Sequence, residues 1–247
     1  MTDLSLIITA HREGILAGPT IRSAQAALAH AQNSGATLEV IVVLDRADDD
    51  TQRIMRHGFA DTRSAAVSFI DSDEGDPGRA RNLGIARASG FAATFLDADD
   101  LVSENWFAES LRAVKARPDA IFHPAVNQVF GIESNLWWHV DSESALFDPL
   151  YLEWSNYWTA ISCAPVATYR QIPFEANNLH QGFGHEDWHW NRVTLAAGHA
   201  HKPVPDTVYF IRRRRGSQMS QVLAADGVSW PMRLPRATAP ASVAKAR

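Results

Sequence analysis

Apolar residues along this chain fall into short continuous runs separated by stretches of helical spacing. Leu4-Ser5-Leu6-Ile7-Ile8 is the first run, rich in aliphatic and β-branched side chains, and it predicts a buried strand. Thr20 to Ala31 places Ile21, Ala24, Ala27, Leu28 and Ala31 at helical spacing, and Asn33-Ser34-Gly35 ends that helix. Leu38 to Leu44 is a second continuous strand, stopping at Asp45. Asp48-Asp49-Asp50-Thr51 offers N-cap chemistry for a helix running to about Gly58. Ala66 to Ile70 reads as a third strand, Gly78 to Ala88 as a helix ending at Gly90, and Phe91 to Leu96 as a fourth strand. Ser103 to Arg117 is a further helix, stopped by Pro118.

Continuous apolar strands joined by helices predict an α/β fold with a Rossmann-like, mostly parallel central sheet covered on both faces. Ligands of such sheets bind beyond the carboxyl ends of the strands, which puts His11, Asp45 and Asp97 on one rim. The second half has a different texture. Seven of the eight tryptophans lie from Trp137 onward, and the strand–helix alternation weakens. With no repeat and no clear linker, residues 1–233 read as a single domain and the Ala- and Pro-rich 234–247 as a flexible tail.

Composition narrows the function classes. The 247 residues are 46% hydrophobic and 21% charged, as in a globular protein. A net charge of −5 excludes a general nucleic-acid binder, so an anionic ligand needs local basic residues or a metal. The single cysteine, Cys163, sits in the apolar-leaning run Thr159 to Ala164 and reads as a packed core thiol. The N-terminus lacks the basic and apolar regions of a secretory signal, and no run approaches the roughly 18 apolar residues of a membrane span. The expected location is cytoplasmic, with peripheral contact at the inner face of the membrane as the alternative.

Two segments carry candidate chemistry. At the end of the fourth strand stands Leu96-Asp97-Ala98-Asp99-Asp100. Strand alternation turns Asp97 and Asp99 to the same side, where their oxygens suit Mg²⁺ or Mn²⁺ shared with a substrate diphosphate. The plain alternative is an acidic turn, with Asp100 or Ser103 capping the next helix. Upstream, Asp76-Pro77-Gly78-Arg79-Ala80-Arg81-Asn82-Leu83-Gly84 opens a helix with glycine and arginines, a combination that suits an anion.

Together these segments resemble family-2 glycosyltransferases of the GT-A fold, which carry a Gly-x-Ala-x-Ala-Arg-Asn-x-Gly-like helix, an apolar strand, and then Leu-Asp-x-Asp-Asp. The resemblance implies a GT-A fold, with a nucleotide-binding half over 1–120 and an acceptor-side half over 121–233. It implies that the loop Thr9-Ala10-His11-Arg12-Glu13 lies along the nucleotide base, with Thr9 where the family has proline and Arg12 where it has asparagine. Thr9, His11, Glu13, Asp45, Arg81 and Asp97 are then the nucleotide-binding candidates, and Asp97 and Asp99 the metal ligands. Asp45 would accept an N–H from a pyrimidine edge, which favours a UDP-type donor. Glu186-Asp187 matches the family's late acidic pair, with Asp187 as general base and inversion as the outcome. Trp188 beside it is an acceptor candidate. Tyr209 to Ser220 is similar to a Tyr-Arg-x-x-x-x-Ser-x-Ser segment, nominating Arg213 and Ser217 for the diphosphate. That segment lacks the histidine some members use on the metal, leaving His201 as a weak stand-in. His185 and His189 have helical metal spacing but no third ligand. Trp137, Trp138, Trp154, Trp158, Trp188 and Trp190 read either as core or as sugar platforms.

The resemblance therefore implies a metal-dependent inverting transferase that moves a sugar from a nucleotide-diphosphate sugar to a glycan or lipid-linked acceptor, in polysaccharide or surface-glycan synthesis. A non-catalytic sugar-nucleotide or glycan-binding protein on the same fold is the alternative from another class. A nucleotidyltransferase would want a Gly-rich, Lys-containing loop after the first strand, which Thr9 to Gly14 does not supply.

Overall fold

The computed structural model describes residues 1–231; the expected tail, 234–247, lies outside the described residues. In chain order the elements are β1 (Leu4–Ala10), α1 (Ala17–Asn33), β2 (Leu38–Asp45), α2 (Asp49–Phe59), β3 (Ala66–Ser72), α3 (Pro77–Arg87), β4 (Ala92–Asp97) and β5 (Leu101–Val102). They continue with α4 (Trp106–Ala116), β6 (Ala120–Gly131), β7 (Asn135–Trp138), β8 (Cys163–Pro165), α5 (Val166–Gln171), α6 (Glu186–Ala196), β9 (Ala200–Arg213) and α7 (Gln218–Ala224). The strands form one sheet in the order β3-β2-β1-β4-β8-β6-β9-β5, with β7 paired to β6. The β3-β2-β1-β4 half is parallel throughout. Antiparallel β8 joins it to β6, which runs parallel to β9.

Both faces of β1, β2 and β4 are covered, which is why these strands read as near-continuous apolar runs rather than alternating ones; β3, at the sheet edge, is only partly buried. Leu6, Ile8, Val40 and Val42 pack with α1, α2 and α4, while Ile7, Ile41, Val43 and Phe95 pack with α3, α5 and α6. Burial of each such side chain stabilises the fold by roughly 1.5–3 kcal/mol.

Helix α3 packs tightly on the sheet and ties the two halves together. A Cβ at Gly84 would fall 2.4 Å from Ile7 Cγ2, so only glycine lets the helix approach this closely. At the start of α3, Asp76 caps the Arg79 amide and also accepts from the Asn177 amide. Gly78 there packs against the Glu175 carbonyl, so the opening glycine makes room for the 172–177 segment. Asn82 completes the clamp: its amide donates to the Phe174 carbonyl and its oxygen accepts from the Phe174 N–H.

The region after β4 departs from the sequence expectation. Asp100 and Ser103 cap no helix; α4 begins only at Trp106. Leu101 and Val102 form β5 against Phe210 and Tyr209, and Ser103 exchanges hydrogen bonds with Val208. A two-residue strand whose partner lies far along the chain leaves no local hydrophobic signature. Cys163 is fully buried, as expected, and burial pushes its thiol up to about 12.

Two tryptophans of the second half, Trp158 and Trp190, are core. Trp190 stacks between Tyr169 and Phe174, and Trp158 stacks on His201 at 4.2 Å. Trp138 and Trp154 are exposed. Beneath Trp158 lies a buried histidine network. His123 Nδ1 contacts the Ile161 carbonyl, its Nε2 meets His201 Nδ1 at 2.9 Å, and His201 Nε2 meets Thr194 Oγ1. His139 bridges the Pro124 carbonyl and the Asn127 amide. His201 is thus committed to the core and does not approach the rim.

Burial lowers His139 to about 4 and His201 to about 3. A histidine neutral in the fold but titrating near 6.5 when unfolded contributes stability that is full above pH 6.5 and lost as pH falls toward the folded value. Buried carboxylates with raised values act in the opposite sense, so the informative quantity is a difference between variants. His139→Gln should be less stable than the parent at pH 7, and urea unfolding should show that deficit narrowing by about 2 kcal/mol by pH 5. A deficit independent of pH would mean that His139 titrates in the fold as it does in the unfolded chain.

Candidate active site

The carboxyl ends of β1, β2 and β4 open into a cavity of about 620 Å³, within the range of small-molecule sites. Thr9, His11, Glu13, Asp45, Arg81, Asp97, Asp99, Glu186, Asp187, Arg213 and Ser217 all line it. Like His189 and His201, Trp188 is not among the lining residues. Its indole N–H donates instead to the Leu152 carbonyl.

Arg81 organises the floor. Its guanidinium is buried and donates to Glu186 Oε1 at 2.6 Å and to Asp97 Oδ1 at 3.2 Å. Burial opposes its charge, but Asp97 and then Glu186 outweigh burial and raise its pKa, keeping it protonated. Thr9 Oγ1 donates to the same Asp97 oxygen at 2.8 Å, and Asn177 donates to the second oxygen of Glu186. Glu186 is thereby fixed as a partner of Arg81. Next to it, His185 adopts the left-handed conformation (φ 60°), unusual for a side-chain-bearing residue, and starts α6 at the cavity wall.

Asp187 differs from its neighbours. Its carboxylate is half-buried, accepts the Trp188 amide, and forms no ion pair among the described residues. Burial first, then repulsion from Glu186, raises it to about 7. A carboxylate poised near neutrality in a cavity is suited to taking a proton from a bound hydroxyl.

At the end of β2, Asp45 accepts from Ser72 Oγ and the Glu74 amide at Oδ1 and from the Gly75 amide at Oδ2. Three donors hold the loop after β3 in place, and Oδ2 retains acceptor capacity toward the cavity. His11 Nδ1 contacts the Asp45 carbonyl oxygen at 2.7 Å. Asp100 is buried and ties the acidic turn to β9, accepting from Tyr209 Oη and the Arg212 amide. Burial, then Asp99 and Asp97, push its pKa well up.

The arginine run separates by side. Arg212 donates to the Asp99 carbonyl and stacks over Phe130, while Arg214 donates to the Asp99 carboxylate at 2.7 Å. Arg214 was not singled out from sequence, because four consecutive arginines give no phase. The distant pairing of β9 brings Arg212 to Asp99, and Arg214, one residue past the end of β9, reaches the same acid.

Among the described residues no group of three His, Cys, Asp or Glu side chains is placed to hold a metal ion. The donor set does fit a cation that draws its other ligands from elsewhere. Asp97 and Asp99 line one cavity, and repulsion from Asp97 adds to burial in raising Asp99. Mg²⁺ and Mn²⁺ bind through one or two carboxylates plus substrate phosphates and water.

A family model described as Glycosyl transferase family 2 matches residues 5–177. The first 349 residues of S. aureus TarS in complex with UDP-GlcNAc share the fold at a TM-score of 0.61 and 18% identity, over 89% of this chain and 61% of that one. The mannosyltransferase PcManGT from Pyrobaculum calidifontis, in complex with GDP-Man and Mn²⁺, gives 0.61 and 15%, over 86% of this chain and 58% of that one. This chain therefore spans about six-tenths of each relative. Likeness at these identities is one of fold, and the fold is GT-A. No curated protein sequence matches the chain.

Removing Arg81 would leave two carboxylates facing each other with no cation between them. Arg81→Met should lower stability by about 3 kcal/mol or more in denaturant unfolding, since a buried charge loses its partner. Adding Glu186→Gln should restore about 1 kcal/mol or more of that loss. Strict additivity of the two changes would show that the pair is not coupled.

Proposed function

The chain belongs to glycosyl transferase family 2, and on that premise we propose that it moves a sugar from a nucleotide-diphosphate sugar to an acceptor hydroxyl with inversion at the anomeric carbon. The observation that carries this reading is the position of Asp187. Its unpaired carboxylate faces the same cavity as Asp97 and Asp99, and Arg81 fixes the two sides relative to each other. The acceptor oxygen attacks the anomeric carbon while Asp187 takes its proton. The bond to the diphosphate oxygen breaks, and the nucleoside diphosphate leaves with the electron pair. With base and leaving group on opposite faces of the sugar, a single displacement inverts the centre.

Asp97 and Asp99 would hold Mg²⁺ or Mn²⁺, which neutralises charge on the leaving diphosphate when bound. Metal use by this fold is supported by the complex of PcManGT with GDP-Man and Mn²⁺. A UDP-type donor is favoured, because Asp45 Oδ2 can accept a pyrimidine N–H; the TarS complex with UDP-GlcNAc is consistent with it. His11, Thr9 and Glu13 would line the base and ribose, with Arg213 and Ser217 reaching the diphosphate. The acceptor is taken as a glycan or a lipid-linked glycan in polysaccharide or surface-glycan assembly. Among the described residues no helix is long and apolar enough to cross a membrane. We place the reaction in the cytoplasm, and a lipid-linked acceptor would bring the chain to the inner membrane face.

Asp187→Asn should reduce transfer by about 10²–10⁴-fold while the nucleotide sugar still binds, as read by calorimetry beside an activity assay. In the parent protein the rate should rise with pH to a plateau, with an apparent pKa near 7 set by loss of the Asp187 proton. Full turnover by the variant would remove Asp187 from this role.

A further inference from the structure

Arg214 stands where the site calls for a cation. Its Nε donates to Asp99 Oδ2 at 2.7 Å, and its Nη2 lies 3.6 Å from Glu13 Oε1. The two acids come from different loops, one after β1 and one after β4. Their side chains are only 15% (Asp99) and 8% (Glu13) exposed. Two buried like charges facing one cavity need a counter-charge, and in this structure Arg214 supplies it.

The attachment of Arg214 makes it a removable cation. The backbone is pinned at Arg212, whose amide donates to Asp100 and whose guanidinium is held between the Asp99 carbonyl and the Phe130 ring. Two residues beyond Arg214 the chain turns at Gly216 (φ 73°). Arg214 therefore hangs from a fixed strand end and can swing by side-chain rotation while Arg212 stays in place. Arg213, between them, lines the same cavity.

Building on the reading of Asp97 and Asp99 as the metal carboxylates, we propose that Arg214 is the resident cation of the donor-free site. It holds Asp99 and Glu13 until a divalent cation arrives with the nucleotide diphosphate, and it then passes from Asp99 to the diphosphate. One positive charge leaves Asp99 as another enters, so the carboxylates are never left unpaired. The planar guanidinium that pairs with carboxylates in the first state pairs equally well with phosphate oxygens in the second. A divalent cation alone has to compete with a tethered arginine at high local concentration. It binds weakly until a diphosphate gives the arginine somewhere to go.

The test is Mn²⁺ affinity, read on the full chain from the electron paramagnetic resonance signal of the free ion, with Mn²⁺ alone and with Mn²⁺ plus UDP. Arg214→Gln should bind Mn²⁺ alone about tenfold or more tightly than the parent. Adding Asp99→Asn should abolish that gain, and UDP should bring the parent most of the way to the variant. Arg214→Lys, which keeps the charge without the fork, should fall between the two. If Arg214→Gln and the parent bind Mn²⁺ alone equally while UDP still draws Mn²⁺ into the parent, the exchange is wrong and the metal assignment stands. If no form binds Mn²⁺ with or without UDP, both are wrong.

Discussion

One buried guanidinium sets the geometry on which the site depends. Arg81 lies between Asp97, at the end of a strand in the first half of the chain, and Glu186, at the start of a helix in the second half. Hydrogen-bonded pairing inside a protein is favourable only when donors and acceptors are placed well, and a charge left alone there is severely penalised. The contact therefore forces the acidic end of β4 and the start of α6 into a fixed relation. Helix α3 carries the arginine, and everything that positions α3 serves that relation: Gly84 seated on Ile7, Asn82 clamping Phe174, and Asp76 holding Asn177.

The same logic explains how seven carboxylates can share one cavity wall. Asp97 and Glu186 are neutralised by Arg81, and Asp99 and Glu13 by Arg214. Asp45 receives three hydrogen bonds from one loop, and Asp100 is turned inward to Tyr209 and Arg212. Asp187 accepts only the backbone amide of Trp188, and burial, then repulsion from Glu186, raises its pKa to about 7.

What the sequence disclosed follows from range. Strands β1, β2 and β4 were legible because they are buried on both faces, giving continuous runs such as Leu38 to Leu44 whose ends mark the rim. The motif from Gly78 to Asp100 was legible as a resemblance, but the work of its parts was not. Gly78 and Asn82 proved to grip residues 174 and 175, a contact without local trace. Asp100 read as a helix cap because the helix pattern begins nearby; its true partners are Tyr209 and Arg212, more than a hundred residues on. Arg214 was hidden for the same reason, its partners Asp99 and Glu13 lying far back along the chain. His201, a weak metal candidate by type, is removed from the site by a core that Trp158, Thr194 and His123 build around it.

The central claim is that Arg81 holds two halves of one catalytic cavity, with the diphosphate on the Asp97–Asp99 side and the attacking hydroxyl on the Asp187 side. A crystal structure of the Asp187→Asn protein with a UDP-sugar and Mn²⁺ tests this most directly. The account predicts the diphosphate beside Asp99, the Arg81 bridge intact, and the anomeric carbon open toward residue 187 with room for one hydroxyl between them. A nucleotide sugar bound elsewhere, or bound with its anomeric carbon turned away from residue 187, would contradict it.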